Sequence, residues 1–222
     1  MLLDCAKETV LDLKKKLSFY KLRSKVEIGI IEELSVIAAI CPSHPLKNHP
    51  EILVFSDPRN SDMGLRIVAK DQELSEFIEI NNLVNADLDF YNYQRLNLKI
   101  TDNNDLTYDQ SLILEYGFEE LNAISYDKGC YVGQEVTART HYRGVIRKRI
   151  FLIKISNSKQ IPKETEIICD QKKIGTILSS VFYNQELYAL ALIKNIDNNN
   201  QEIDLKNSLL STAEGQKIII IK

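Results

Sequence analysis

Apolar residues in the first half of the chain follow helical spacing in some segments and strand spacing in others. Within residues 4–17, Val10, Leu13 and Leu17 recur at the spacing of one helix face, which predicts an amphipathic helix. Across residues 25–40, apolar residues alternate with charged or small ones, a pattern typical of strands. Further elements are predicted as strands at residues 51–55 and 64–69, a hairpin loop at 57–63, a helix at 87–100 and an irregular connector at 106–125.

The last third of the chain is predicted to form strands without a long helix. Short apolar runs separated by polar turns occupy residues 150–155, 166–169, 174–182, 187–193 and 217–221. Five short strands of this kind predict a small antiparallel barrel. Because helical spacing ends near Val145, we expect an α+β protein with one domain in residues 1–145 and a barrel domain in residues 146–222.

The composition is that of a folded, mildly acidic protein. The 222 residues are 44% hydrophobic and carry 28 Lys and Arg against 31 Asp and Glu, a formal net charge of −3. This apolar content is sufficient for a core and excludes disorder as the main state. The mild acidity argues against a DNA-coating protein, and it leaves room for a local basic surface.

Neither a membrane span nor a secretory signal is predicted. The apolar runs fall short of the ~20 residues of a transmembrane helix, and acids and bases interrupt the start of the chain. The cysteines are widely spaced and form no Cys-x-x-Cys pair, so we expect free thiols rather than a zinc site or a disulfide framework. These features predict a cytoplasmic protein, and the heavy use of Ile, Lys and Asn indicates an AT-rich bacterial genome. The cysteines are Cys5, Cys41, Cys130 and Cys169.

One segment, residues 127–144, has a pattern that points to chemistry. Gly129 and Gly133 flank Cys130, and glycine accepts the backbone angles that a tight loop requires. Cys130 would precede the positive end of a helix that starts after Gly133, with Lys128 close by. Such surroundings stabilise a thiolate over a thiol, and the thiolate is the form that acts as nucleophile or metal ligand.

The same helix would carry a polar stripe, whose residues also have simpler interpretations. Glu135, Arg139 and Arg143 fall at i, i+4 and i+8, with an acid-to-base pair at the start. Such a pair is commonly only part of a solvated helix face. Cys130 is alternatively a small buried residue, and Tyr131 is alternatively a core aromatic residue.

The octet at residues 128–135, KGCYVGQE, closely resembles the signature K-G-C-Y-x-G-Q-E of the YgfZ-type folate-binding proteins. These proteins are relatives of the aminomethyltransferase (T-protein) of the glycine cleavage system and act in iron–sulfur cluster assembly or repair. Further similarity at residues 20–26, 138–149, 175–179 and 189–193 extends over essentially the whole chain. The resemblance implies a T-protein-like, folate-binding domain followed by a small barrel, with tetrahydrofolate as the cofactor.

The resemblance also implies roles for individual residues. Cys130 and Lys128 would be the reacting groups, and no metal ligands are expected. Glu115 would accept hydrogen bonds from the pterin ring, since a carboxylate can accept two parallel N–H bonds; it is alternatively an exposed loop acid. Arg95 would contact the glutamate tail of the folate, or else lie on a helix surface. The other residues of the motif loop are Gly129, Tyr131, Gly133, Gln134, Glu135, Arg139 and Arg143.

The chain departs from the family at its start. Members of the family begin with a further strand-rich half-domain, whereas this chain starts near the middle of the family pattern. We therefore expect a shortened member, explained by a misassigned start codon, a degraded gene or a shortened lineage. Part of the folate pocket comes from the unmatched half-domain, so the resemblance implies folate more firmly for the family than for this chain.

Four functions stay open from the sequence. The first is an accessory factor in iron–sulfur cluster assembly, in which Cys130 engages a cluster, a persulfide or a carrier protein. Its partners would be iron–sulfur assembly or client proteins, and tRNA thiolation would depend on it indirectly. The second is a tetrahydrofolate-dependent one-carbon transferase, which leaves open whether the protein is an enzyme. The third is a module with weak tRNA contact, and the fourth is a decayed remnant. The tRNA contact would use Arg139, Arg143, Arg147, Lys148 and Arg149.

Overall fold

The structure is a computed structural model that describes every residue except 41–45, 48, 132, 198, 206 and 222. Cys41, and Val132 within the octet, therefore lie outside the described residues. The chain divides into two compact units, Met1–Ser56 with Gly64–Val84, and Asp57–Met63 with Asn85–Lys222. The predicted domain boundary near Val145 is a different division, and it stays a prediction.

The first unit combines a small antiparallel sheet with two helices. The elements are α1 (Val10–Tyr20), β1 (Ser35–Ala39), β2 (Leu53–Ser56), β3 (Leu65–Ala69) and α2 (Asp71–Ile80). The strands pair in the order β1-β3-β2, so the predicted hairpin of β2 and β3 is confirmed. The predicted N-terminal helix is also confirmed, although it begins later and extends further than expected. The second helix, α2, was not predicted.

The prediction of strands throughout residues 25–40 is correct only for β1. Residues 25–34 contain no strand, and Val26 and Ile31 are at least half exposed. The register of β1 on β3 begins at Ser35, opposite Ala69, so the preceding residues have no strand opposite them in this pairing. Alternation alone does not make a strand when backbone hydrogen bonds have no partner.

The core of the first unit lies between the sheet and α2. Alternating residues of β1 and β3 point to one face, where Ala39, Ile67 and Ala69 pack with Leu74 and Phe77 of α2. Phe77 is 1% exposed. Every second residue of the strands therefore packs against the apolar face of α2, where apolar residues recur every three or four positions. This contact determines which face of the sheet the helix covers.

The second unit is built on a closed six-stranded antiparallel barrel, which confirms the predicted α+β class and the predicted barrel. The elements are α3 (Leu88–Asn97), α4 (Gln134–Arg143), β4 (Lys148–Ile155), β5 (Glu166–Cys169), β6 (Lys172–Tyr183), β7 (Glu186–Lys194), β8 (Leu210–Thr212) and β9 (Lys217–Ile220). The strand order in the barrel is β4-β7-β6-β5-β8-β9. Of these barrel strands, only β8 was not predicted, because three residues are too few to show alternation.

The barrel is apolar inside and on part of its outer surface. Ile153 and Ile155 of β4 point into the barrel, whereas Ile150 and Leu152 point outward. The outer cluster packs against Leu96 of α3 and against the connector that follows α3. This connector contains turns but no helix or strand among its described residues, as predicted for 106–125. Among the described helices, none is long and apolar enough to cross a bilayer.

Candidate functional site

The octet forms a loop that runs directly into α4. Gly133 precedes the helix with φ +88°, a left-handed conformation in which other residues are strained. The helix begins at Gln134, so the predicted start after Gly133 is confirmed. Cys130 lies in the loop before it, as an exposed free thiol. Of the other described cysteines, Cys5 is exposed and Cys169 is buried.

Tyr131 is the anchor of this loop. Its backbone N–H donates to Oε1 of Gln134 at 3.1 Å, and the backbone N–H of Gln134 donates to the carbonyl oxygen of Tyr131 at 3.1 Å. The Nζ atom of Lys128 lies 4.7 Å from the centre of the Tyr131 ring, within the range of a cation–π contact. The residues on either side of Cys130 are therefore held by one another, while the thiol between them stays accessible.

The predicted polar stripe lies on the exposed side of α4. Glu135, Arg139 and Arg143 are all exposed, while Thr137 is the buried residue of the helix. No ion pair joins Glu135 to Arg139 among the described contacts. The expected acid-to-base pair is thus not seen within the part of the chain that the structure describes, where both side chains are exposed.

Sequence reasoning missed a cluster that packs the inner side of α4. The ring of His141 stacks on Tyr126, with centroids 4.1 Å apart and planes at 27°. Nδ1 of His141 lies 3.2 Å from Oε1 of Glu119. Burial, followed by the charge of Glu119, raises the pKa of Tyr126. Tyr126 and His141 flank the octet on either side, but nothing in their spacing predicts that the rings stack.

Glu115 lies half-buried in the connector after α3. Burial raises the pKa of its carboxyl above the usual range, and the charge of Lys148 acts in the opposite direction. A partly desolvated carboxyl of this kind suits recognition of a hydrogen-bonding ligand. Its role against a pterin ring stays a prediction.

Arg95 is built into the fold. It is 3% exposed, and its guanidinium donates hydrogen bonds to the carbonyl oxygen of Ile100 at 2.8 Å, to Oδ2 of Asp105 at 2.7 Å and to Oγ of Ser179 at 2.9 Å. These bonds join α3 to the connector and to barrel strand β6. The predicted contact of Arg95 with a folate tail is not tested by this arrangement.

A second missed cluster lies in the loop between β2 and β3. Arg59 donates to both carboxylate oxygens of the buried Asp57, at 2.9 and 2.6 Å, and to the hydroxyl of Tyr91 on α3 at 3.1 Å. The hydrogen bonds to Asp57 raise the pKa of Arg59. The Asp-Pro-Arg sequence indicated only a turn, because the partner on α3 is distant in sequence.

Two open surface pockets lie beside the β6–β7 hairpin. One, of about 460 Å³, is lined by residues that include Lys154, Lys159 and Glu186. The other, of about 500 Å³, lies at the start of α3 and includes Asp87 and Tyr183. Neither pocket includes a residue of the octet. Among the described residues, three or more His, Cys, Asp or Glu side chains do not group as a metal site.

Curated proteins that match the chain share one name. No family model matches the chain. The mouse protein described as iron–sulfur cluster assembly factor IBA57, mitochondrial, is 36% identical over 163 residues, covering 69% of this chain and 45% of the mouse protein. The human IBA57 is 34% identical over 162 residues, with the same coverage of both chains. The Dictyostelium discoideum homologue is 32% identical over 149 residues, or 62% of this chain and 36% of its own length.

The aligned part of the chain is homologous to IBA57. The chain spans less than half the length of the curated relatives it matches. Among solved structures, aminomethyltransferase T of the glycine cleavage system from Bartonella henselae matches with a TM-score of 0.54 at 14% identity, covering 78% of this chain and 49% of that one. This match confirms the predicted T-protein-like fold.

Three predictions about the protein's setting are wrong. The relatives are mitochondrial proteins of eukaryotes, which contradicts the predicted bacterial source and cytoplasmic location. They carry the name IBA57 rather than YgfZ, the related bacterial group. The abundance of Ile, Lys and Asn depends on codon content, so it does not indicate a compartment.

Proposed function

We propose that this chain acts in iron–sulfur cluster assembly, with the thiolate of Cys130 as its reacting group. The observation that carries the proposal is the exposed thiol in a loop fixed by Tyr131 and Gln134, in a chain homologous to named assembly factors. Iron–sulfur assembly or client proteins would be its partners. Support for tRNA thiolation would then be an indirect effect of the clusters supplied.

The surroundings of Cys130 present its sulfur at the surface rather than bury it. The first turn of α4 has backbone N–H groups without helical partners, and these favour negative charge near the start of the helix. Lys128 adds a positive charge in the same loop. The sulfur of Cys130 would bind an iron atom of the transferred cluster, or it would accept the outer sulfur of a carrier persulfide while the carrier leaves as a thiolate.

Tetrahydrofolate is proposed as an auxiliary ligand, supported by the aminomethyltransferase-like fold and by Glu115. A half-buried carboxylate can accept N–H bonds from a pterin edge. We leave Arg95 out of these contacts, because its guanidinium is bonded within the fold. Glu115→Gln should weaken tetrahydrofolate binding in a calorimetric titration, whereas equal affinity in both proteins would remove Glu115 from the proposal.

The proposal can be tested in human cells depleted of IBA57. We expect the chain, fused to a mitochondrial leader, to restore the activity of mitochondrial iron–sulfur enzymes. Cys130→Ser should abolish this rescue, because the reacting thiol is lost. Cys5→Ser is the matched control, since it removes another exposed thiol, and it should retain rescue.

Two results would count against the proposal. One is equal rescue by Cys130→Ser and by the unchanged chain at equal protein levels. The other is rescue by the 162-residue segment of human IBA57 that aligns with this chain, without rescue by the chain itself. The human segment therefore controls for length.

A further inference from the structure

Helix α4 has an exposed face that the fold does not cover. Its members occupy a continuous arc of the helix, and the opposite side carries Thr137 and His141, which pack inward. Val136 and Tyr142 on this face are 59% and 69% exposed, and the Tyr142 ring is held edge-on to His141 and Tyr126, with centroids 4.7 and 6.0 Å apart. We call it the α4 face, defined by Glu135, Val136, Arg139, Tyr142 and Arg143.

The region around the α4 face is strongly basic, although the chain as a whole is acidic. Residues 128–149 contain six Lys and Arg and a single acid, Glu135, in a chain of net charge −3. Several of these cations already have partners. Lys128 lies on the Tyr131 ring, and Arg149 approaches Oε1 of Glu120 at 3.5 Å.

Arg139 and Arg143 differ from these engaged cations. Both are exposed, and neither has an acceptor or an ion-pair partner among the described residues. They lie four residues apart, one turn along the helix, so their guanidinium groups can reach two acceptors on one partner surface. Arginine binds carboxylates through paired N–H bonds, which makes two free arginines a specific site for acids.

The chemistry of the α4 face favours a protein partner over a nucleic acid. Val136 and Tyr142 are exposed beside the two arginines, and aliphatic, aromatic and arginine side chains together are typical of protein interfaces. Nucleic acid offers a regular row of phosphates, whereas Arg139 and Arg143 are the two cations of the α4 face as defined by its described residues. Glu135 on the same face would also repel phosphates.

We propose that the α4 face docks an acidic surface of a protein partner and thereby brings that partner to Cys130. This inference rests on the assembly role proposed above and adds the chemistry of the partner. Carboxylates of the partner, spaced by one helical turn, pair with Arg139 and Arg143. Val136 and Tyr142 form the apolar part of the contact, and Cys130 lies in the loop that leads into the same helix.

The test measures how fast Cys130 reacts with peptides of different charge. The protein carries Cys5→Ser and Cys41→Ser, so that Cys130 is the reporter and the buried Cys169 stays protected. The probe is a helix-forming peptide with glutamates at i and i+4 and a terminal 2-thiopyridyl disulfide. Cys130 thiolate attacks the peptide sulfur, forms a mixed disulfide and releases 2-thiopyridone, which is followed by its absorbance.

We expect the glutamate peptide to react about fivefold faster than the same peptide with glutamines, and the difference to shrink as salt is added. Arg139→Glu with Arg143→Glu should abolish the difference. Lys172→Glu with Lys217→Glu is the matched control, because it changes the net charge equally at exposed barrel positions. Reaction with neutral iodoacetamide corrects for any change in the thiol itself.

Three outcomes would overturn the proposal. The first is equal rates for the two peptides, and the second is an equal loss of the preference in both double variants. The third is a faster, more salt-dependent reaction with a single-stranded oligonucleotide carrying the same disulfide, which would assign the α4 face to nucleic acid. None of these readouts depends on an iron–sulfur cluster, so they are separate from failure of the assembly role in cells.

Discussion

Gly133 shows how much a single residue of the octet determines. Its φ of +88° turns the loop into α4, while Gly129 has an ordinary φ and open space around the position of a Cβ atom. The sequence predicted that both glycines would frame the loop. Of these two glycines, only Gly133 requires glycine for its backbone angle. The sequence cannot distinguish them, because the difference lies in the φ angle of each residue.

Gly133→Ala should destabilise the protein, because a side chain in the left-handed region costs about 1 kcal/mol. Gly129→Ala is the matched control, and it should be neutral or slightly stabilising. Urea denaturation of both variants gives the difference in the free energy of unfolding. If Gly129→Ala lost as much stability as Gly133→Ala, the backbone angle would not be the cause.

Contacts between distant residues are the part of the candidate site that the sequence did not predict. The octet drew attention to Cys130, and the structure gives it an exposed thiol. The sequence predicted neither the stack of Tyr126 on His141 nor the hydrogen bond from Arg59 to Tyr91, because each joins residues that come together only in the folded protein. A local motif can identify the reactive residue. The contacts that hold the surrounding residues in place form between distant parts of the sequence and are not visible in the motif.

At the level of helices and strands, the spacing of apolar residues and the length of each element account for most of the correct predictions. Strands of the barrel with clear alternation were located to within a few residues, while the three-residue β8 was missed. Helix α2 was missed although Leu74, Phe77 and Ile78 follow helical spacing from Asp71. The spacing needed for α2 was therefore present in the sequence, whereas β8 is defined only by its neighbours β5 and β9.

Arg95 connects three elements, and its replacement should be costly. Arg95→Met removes the partner of Asp105, which is 0% exposed, and an unpaired buried carboxylate costs about 3–5 kcal/mol. Lys173→Met is the control, because the Lys173–Glu166 pair is half exposed and should contribute less than about 1 kcal/mol. Thermal and urea unfolding compare the two. A similar, small loss in both variants would mean that Arg95 does not stabilise this junction.

At the level of the whole molecule, the barrel is not independent of the helices before it. Leu96 of α3 and Tyr116 of the connector cover outward-facing residues of the barrel such as Ile150 and Leu192. The fold class and the barrel were predictable, since both follow from strand patterns. The cover on the outer surface was not, because those apolar positions look the same whether they point into or out of a barrel.

This cover gives a test of where the domain begins. A fragment of residues 85–222 should be monomeric and unfold cooperatively, because it retains α3 and the connector. A fragment of residues 146–222 should self-associate and unfold at lower temperature, since its outer apolar cluster is uncovered. Light scattering and calorimetry distinguish them. Equal stability and a monomeric state for the shorter fragment would support the boundary near Val145 instead.

The barrel closes where β9 pairs with β4, through Ile153 with Ile220, Lys154 with Ile219 and Ile155 with Ile218. These strands come from opposite ends of the barrel sequence, and contacts between distant segments form slowly because a long loop must close first. Until β9 arrives, β4 and β8 each have a row of unpaired backbone groups available to neighbouring molecules. The yield on refolding therefore depends on a competition between ring closure and aggregation, and it should fall as protein concentration rises.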